Sequence, residues 1–218
     1  MDDQQQSSRF DRDFNAKPTP DLPLRWWTPA RWAEQVLAKP LELLNDHAHL
    51  EKKAARNALE LLDRWPDPVP PPKWVQTMTA IAKDEIEHLA LVTRLIRERG
   101  GEMTKHHRND YAAALRGLVR LGQGNCDLLD RLMVSALIEA RSCERFAVLA
   151  ENCADEELAK LYRGLWASEA GHYRAFFEHA DDLLPAADVE RRWDEMLDAE
   201  ARIIAAQPPG PTMHSGVS

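Results

Sequence analysis

The chain has 218 residues, 44% hydrophobic and 29% charged, which suits one domain or at most two small ones with a real core. Its formal net charge of −8 is the wrong sign for binding nucleic acid through the whole surface. No run of eighteen apolar residues exists, so no membrane span is expected, and three scattered cysteines (Cys126, Cys143, Cys153) exclude a disulfide framework or zinc knuckle.

Those cysteines are expected as reduced thiols of a cytoplasmic protein. Glycine is scarce, and Ala, Leu, Glu and Arg dominate, a composition that favours helices. Residues 1–27 read as a polar N-terminal arm; its start, MDDQQQSSRFDRDF, lacks the apolar stretch of a signal peptide. Thr28 followed by Pro29 is the N-cap and first-turn signature of a short helix to about residue 38. A long helix is predicted over about 40–64. It stops at WPDPVPPP, where five of the seven residues from 66 to 72 are proline. A second long helix covers about 73–99 and ends at Gly100-Gly101.

NDYAAALRGLVRLG reads as a shorter helix. DLLDRLMVSALIEARSCERFAVLAENC is a third long helix, broken at Ala154-Asp155, and a fourth covers about 156–180. A last helix, about 188–206, precedes residues 207–218, rich in Pro, Gly and Ser and expected to be a disordered tail. Nothing reads as a strand hairpin. The expected fold is an all-α bundle over residues 28–206, with four long helices and additional short ones.

The second long helix carries Glu85 and His88 one turn apart, within an otherwise core-forming sequence. The spacing recurs in Glu169-x-x-His172, 84 residues later. Upstream of each, on the preceding long helix, another glutamate sits in an apolar stripe: Glu51, and Glu139, 88 residues later. The chain thus holds a weak internal repeat of a helix with Glu followed by a helix with Glu-x-x-His. In an antiparallel pair, residues equidistant from the turn lie level. Glu51 and Glu85 centre on Pro68 in the proline loop, and Glu139 and Glu169 on Ala154 at the predicted break. Each pair is therefore expected at one height, roughly 20 Å from its turn at ~1.5 Å per residue.

Residues three apart share a helix face, so each Glu-x-x-His aims a carboxylate and an imidazole the same way. Four glutamates and two histidines would meet inside the bundle, and four buried negative charges require compensation. Two divalent cations would supply it. Oxygen ligands with one imidazole per metal suit iron, with manganese second, and the lack of cysteine in the set argues against structural zinc. Ferritin-like di-iron and di-manganese proteins use this same ligand set.

Other residues are weaker candidates. Asp84 and Glu87 point away from the motif face, toward solvent or an outer hydrogen bond. His47, one turn before Glu51, is expected in a capping or packing role at the cavity edge; His49 and Glu144 are expected to be exposed. Cys143 reads as a small core residue, and Trp26-Trp27 as aromatics that close over the core. Between Arg94 and Arg120, seven Lys or Arg stand against three acids, an excess of four positive charges, with His106 and His107 in addition. Such runs are usually solvated faces.

In order, HLEKKAA, DEIEHLALV, ALIEARSCERF and SEAGHYRAFF resemble the tRNA 2-methylthio-isopentenyl-adenosine hydroxylases of the MiaE type, over roughly residues 28–200. The resemblance implies a ferritin-like bundle with a non-haem di-iron centre that uses O2 to hydroxylate the isopentenyl side chain of a modified adenosine beside the anticodon. By position it implies Glu51, Glu85, His88, Glu139, Glu169 and His172 as ligands, with Glu85 and Glu139 as the bridging pair. It implies tRNA and O2 as partners, and an external donor of two electrons such as a reductase or ferredoxin-like protein, since no flavin or nicotinamide motif is present. Arg97, Arg99, Lys105, His106, His107 and Arg108 then become candidates for a tRNA-facing surface. A ferritin- or rubrerythrin-like iron oxidase or peroxidase, a di-manganese catalase-like enzyme and a bundle with merely structural carboxylates are the alternatives.

Overall fold

The computed structural model describes residues 22–180 and 182–217; most of the expected N-terminal arm lies outside these. Seven helices follow one another: α1 Ala30–Leu37, α2 Pro40–Leu62, α3 Pro72–Glu98, α4 Asp110–Arg116, α5 Asn125–Asn152, α6 Glu156–Glu178 and α7 Ala186–Ala205. No strand forms among the described residues; an isolated bridge joins Pro209 and Gly216. No helix here is long and apolar enough to cross a membrane.

Helix boundaries follow local chemistry. Pro40 and Pro72 occupy first-turn positions, where the missing N–H has no helical partner to lose. Gly100, at φ 75°, closes α3: its N–H reaches Arg97 O at 3.0 Å, and Gly101 N reaches Ile96 O at 2.9 Å. Asn109 caps α4 by accepting from Ala112 N, and Asp155 caps α6 by accepting from Glu157 N and Leu158 N. Thr28 does not cap α1 as expected. Its N–H and hydroxyl instead donate to Glu144, 2.7 and 2.8 Å away. Glu144 is accordingly buried, not exposed.

The bundle is two antiparallel hairpins, α2–α3 and α5–α6, packed on each other, with α1, α4 and α7 against α5. Helix α5 is buried almost all round, from Leu128 to Ala150. Two apolar clusters fill the interior. One holds Trp74, Met78, Leu132, Met133, Phe176 and Trp193. The other, toward α1, holds Trp32, Leu43, Leu44, Val92, Phe146 and Tyr162. Along every long helix the motif glutamate lies between a residue of one cluster and a residue of the other, as Glu85 does between Ala82 and Val92. Apolar layers thus close the polar seam from both ends.

Two domain expectations are corrected. The arm does not extend to residue 27: Leu22 and Leu24 are buried against Ala140, Cys143 and Ala170, and Arg25 pairs with Asp194 and Asp198. Trp26 lies beneath the Arg141 guanidinium, while Trp27 is exposed. The tail does not trail away either. Met213, His214 and Ser215 are buried, and Arg145 donates to the carbonyls of Met213 and Ser215. Gly216 permits this return, because a Cβ there would lie 1.8 Å from Gln207 O. Polar composition missed it because the segment is held by backbone hydrogen bonds to buried side chains.

Candidate metal centre

All six expected residues converge. Glu51 on α2, Glu85 on α3, Glu139 on α5, and Glu169 and His172 on α6 are buried, and His88 on α3 is nearly so. Their ligand atoms form two groups, each within 4.8 Å: Glu51, Glu85, His88 and Glu169, and Glu85, Glu139, Glu169 and His172. Glu85 and Glu169 belong to both. The two glutamates of the Glu-x-x-His motifs thus lie at the centre of the cluster, while Glu51 and Glu139, the latter expected to bridge with Glu85, each fall in one group. The repeat in the sequence is a pseudo-twofold relation between the half-sites.

The histidines turn Nδ1 inward. His172 Nδ1 is 2.8 Å from Glu85 Oε1, and His88 Nδ1 is 3.4 Å from Glu169 Oε1. His172 Nε2 faces outward to Asp84 Oδ2 at 3.4 Å, which makes Asp84 the outer partner that fixes the ring. His47 has a closer role than packing: its Nε2 is 2.5 Å from Glu51 Oε1. His49 is buried rather than exposed, bonded to Thr104 and stacked on His107. Glu87 pairs with Lys83 on the surface, and Cys143 is an interior thiol whose acidity burial suppresses.

The donor set fits a pair of divalent cations. Glu85 Oε1, both oxygens of Glu169, and Nδ1 of His88 and His172 are buried without a hydrogen bond of acceptable geometry. Burial and the charges of Glu169 and Glu51 push the Glu85 carboxyl up to about 8, and burial beside Glu169 and Glu85 holds Glu139 well above the usual range. Burial would also raise Glu51 and Glu169. Against it, the His47 interaction draws Glu51 down to about 2, and the close approach of the His172 and His88 rings holds Glu169 well below normal. Burial disfavours both imidazolium rings, yet the carboxylates win, raising His172 to about 10 and raising His88 as well. Four carboxylates gathered in the interior need four compensating positive charges. Two dications would carry the same four positive charges.

The expected basic surface is dispersed. Arg97, Lys105 and His106 are exposed, Arg99 pairs with Asp155 and Glu157, Arg108 with Asp110, and His107 is wedged between Lys53 and Asp46. The feature that sequence reasoning missed is a cavity of about 110 Å3 that starts at the four glutamates and leads outward past Ile138 and Val134 to Lys53, Arg116 and Arg131. Its walls come from five helices, α2 to α6, and only their packing reveals it.

Residues 18–215 match the family described as tRNA-(MS[2]IO[6]A)-hydroxylase (MiaE). The chain is 37% identical over 190 residues to the tRNA 2-(methylsulfanyl)-N(6)-isopentenyladenosine(37) hydroxylase of Pseudomonas putida, covering 87% of this chain and 90% of that one. It is 32% identical to the Salmonella typhimurium protein of the same description, over 79% of this chain and 61% of the other. Among solved structures, protein 43 with aldehyde deformylating oxygenase activity from Synechococcus superposes with a TM-score of 0.82 at 34% identity, covering 89% of this chain and 96% of that one. The fold is therefore the ferritin-like bundle, and the chain belongs to the MiaE family of tRNA hydroxylases.

Proposed function

We infer that this chain hydroxylates the isopentenyl side chain of 2-(methylsulfanyl)-N6-isopentenyladenosine in tRNA, with two iron ions held by Glu51, Glu85, His88, Glu139, Glu169 and His172. The observation that carries the reading is the pair of half-sites sharing Glu85 and Glu169, opening into a narrow cavity. A reduced iron pair there would supply the O2-activating chemistry needed to oxidise an allylic C–H bond. The balance is one O2, two electrons and two protons per substrate: one oxygen enters the new C–O–H group and the other leaves as water. The chain carries no second redox cofactor motif, so the two electrons come from an external donor. A tRNA substrate places the enzyme in the cytoplasm.

The protein's own residues position and exclude. Asp84 orients the His172 ring, and His47 orients the Glu51 carboxylate by donating from Nε2. The two apolar clusters keep bulk water from both ends of the centre. Ile138, Val134 and Phe146 make the inner wall apolar, suited to a hydrocarbon side chain.

Nucleoside mass spectrometry tests this. Iron-loaded protein, a chemical reductant and O2 are mixed with tRNA bearing the modification. The expected outcome is a gain of one oxygen on that nucleoside, absent with Glu85→Ala. Iron-dependent O2 consumption with an unchanged nucleoside would move the assignment to an iron oxidase. Conversion of an added aldehyde instead would move it to the activity described for the Synechococcus neighbour.

A further inference from the structure

The cavity changes character along its length. Near the carboxylates it is buried and largely apolar; at its outer end stand Lys53 from α2, Arg116 from α4 and Arg131 from α5. Arg116 is exposed and the other two are half-buried, so the cations mark the mouth. Arg131 precedes Glu139 by eight residues, roughly 12 Å along α5 at ~1.5 Å per residue. A volume of about 110 Å3 is far below the roughly 300–1,000 Å3 of pockets that enclose a whole drug-sized ligand. It admits a short side chain and leaves base, ribose and phosphates outside.

The cations are not equally satisfied. Arg131 Nε donates to Asp127 Oδ1 at 2.5 Å. Lys53 Nζ donates to His107 Nδ1 at 2.7 Å, which leaves the His107 proton on Nε2, donating to Asp46 Oδ1 at 2.6 Å. Lys53 thus faces an imidazole and no carboxylate directly, and burial together with the Arg116 charge lowers its pKa. The Arg116 guanidinium has no partner among the described residues. Three like charges gathered at one opening, in a protein of net charge −8, call for an anion. Of the basic run at 94–120, Arg116 is the cation that lines the cavity, and Arg97, Arg99, Lys105, His106 and Arg108 do not.

The geometry points to Lys53, Arg116 and Arg131 as a phosphate-binding rim that receives the RNA backbone beside the nucleotide whose side chain enters the cavity. This rests on the hydroxylase reading above. His107 and Asp46 are positioning residues that aim Lys53.

Binding and turnover test it separately. Iron-loaded full-length protein is titrated with a fluorescent anticodon stem-loop RNA carrying the modified adenosine, at several salt concentrations, and oxygen gain is followed on the same RNA. Arg116→Ala and Lys53→Ala should each weaken binding about five- to tenfold at low salt and lower the slope of log K against log salt by about one. They should raise KM far more than they change kcat, and Arg116→Lys should restore the slope. Arg94→Ala, whose partner is Glu98 on the outer face of α3, serves as the control. Iron content and melting temperature identify any variant that misfolds. An unchanged affinity and slope in the Lys53→Ala/Arg116→Ala double variant overturns the rim, while wild-type turnover leaves the hydroxylase reading standing. Salt-sensitive RNA binding without oxygen gain does the reverse: the reading fails, and the slopes still decide the rim.

Discussion

The two Glu-x-x-His glutamates differ from the other two in what their loss does. Glu85 lies in both groups of ligand atoms and Glu51 in only one. Glu85→Ala should therefore take the iron content from about two per chain to near zero, and Glu51→Ala to about one, read by metal analysis after desalting. Asp84→Asn tests the outer shell: its carboxylate reaches His172 Nε2, and losing such a partner costs about 10–100-fold in metal affinity or activity. A competitive chelator titration would measure the shift, and an unchanged affinity would make Asp84 a bystander. All six inward residues were legible in the sequence, because three-residue spacing on a helix fixes a common face. Which carboxylates are shared was not. That depends on how far each helix is rotated toward its neighbours, which no spacing along one chain records.

Helix ends and one cross-link carry the predictions at the element scale. Asp155 caps α6 and also receives Arg99 from the end of α3. Asp155→Ala should cost about 1 kcal/mol, within the usual range for an N-cap, as a lower melting temperature with iron content retained. Asp130 on α5 is fully buried and accepts from Arg120 and from Arg192 on α7. Burial would raise its carboxyl, yet hydrogen bonds from the two arginines hold it below the usual range. A depressed folded-state value means stability that is present above about pH 4, the unfolded carboxyl's range, and lost as pH falls through the lower folded value. Asp130→Asn should cost about 3 kcal/mol at pH 7, with the gap to wild type narrowing below about pH 4 in urea titrations. A gap independent of pH would mean that the charge of Asp130 is not what counts. The four long helices and their breaks were legible because proline and glycine act locally. Thr28 misled because the helix begins one residue later, with Pro29 at the cap position, and the Thr28 N–H and hydroxyl donate to the distant Glu144.

The molecule as a whole is closed by its last residues. Asp46 Oδ2 accepts from Met213 N at 2.7 Å, Ser215 accepts from Trp32 Nε1 at 3.2 Å, and Arg145, stacked on Trp32, finds its hydrogen-bond acceptors in the returning chain. Burial and the charge of Arg141 lower Arg145 to about 9, so its guanidinium is already held at a cost. Removing residues 208–218 should destabilise by about 3–5 kcal/mol, the range for stranding one buried charge, read as a lower denaturant midpoint. Because Asp46 also aims His107 and Lys53, the truncation should weaken RNA binding as Lys53→Ala does. By itself the sequence determined the all-α class, the two hairpins, the level of each glutamate and the six inward residues. Periodicity, prolines and equal distances from a turn are properties of one chain read locally. The shared pair Glu85 and Glu169, the cavity and its cationic rim, and the docked tail were decided only by tertiary structure. Each is made by groups far apart in sequence whose meeting depends on how the helices rotate and pack.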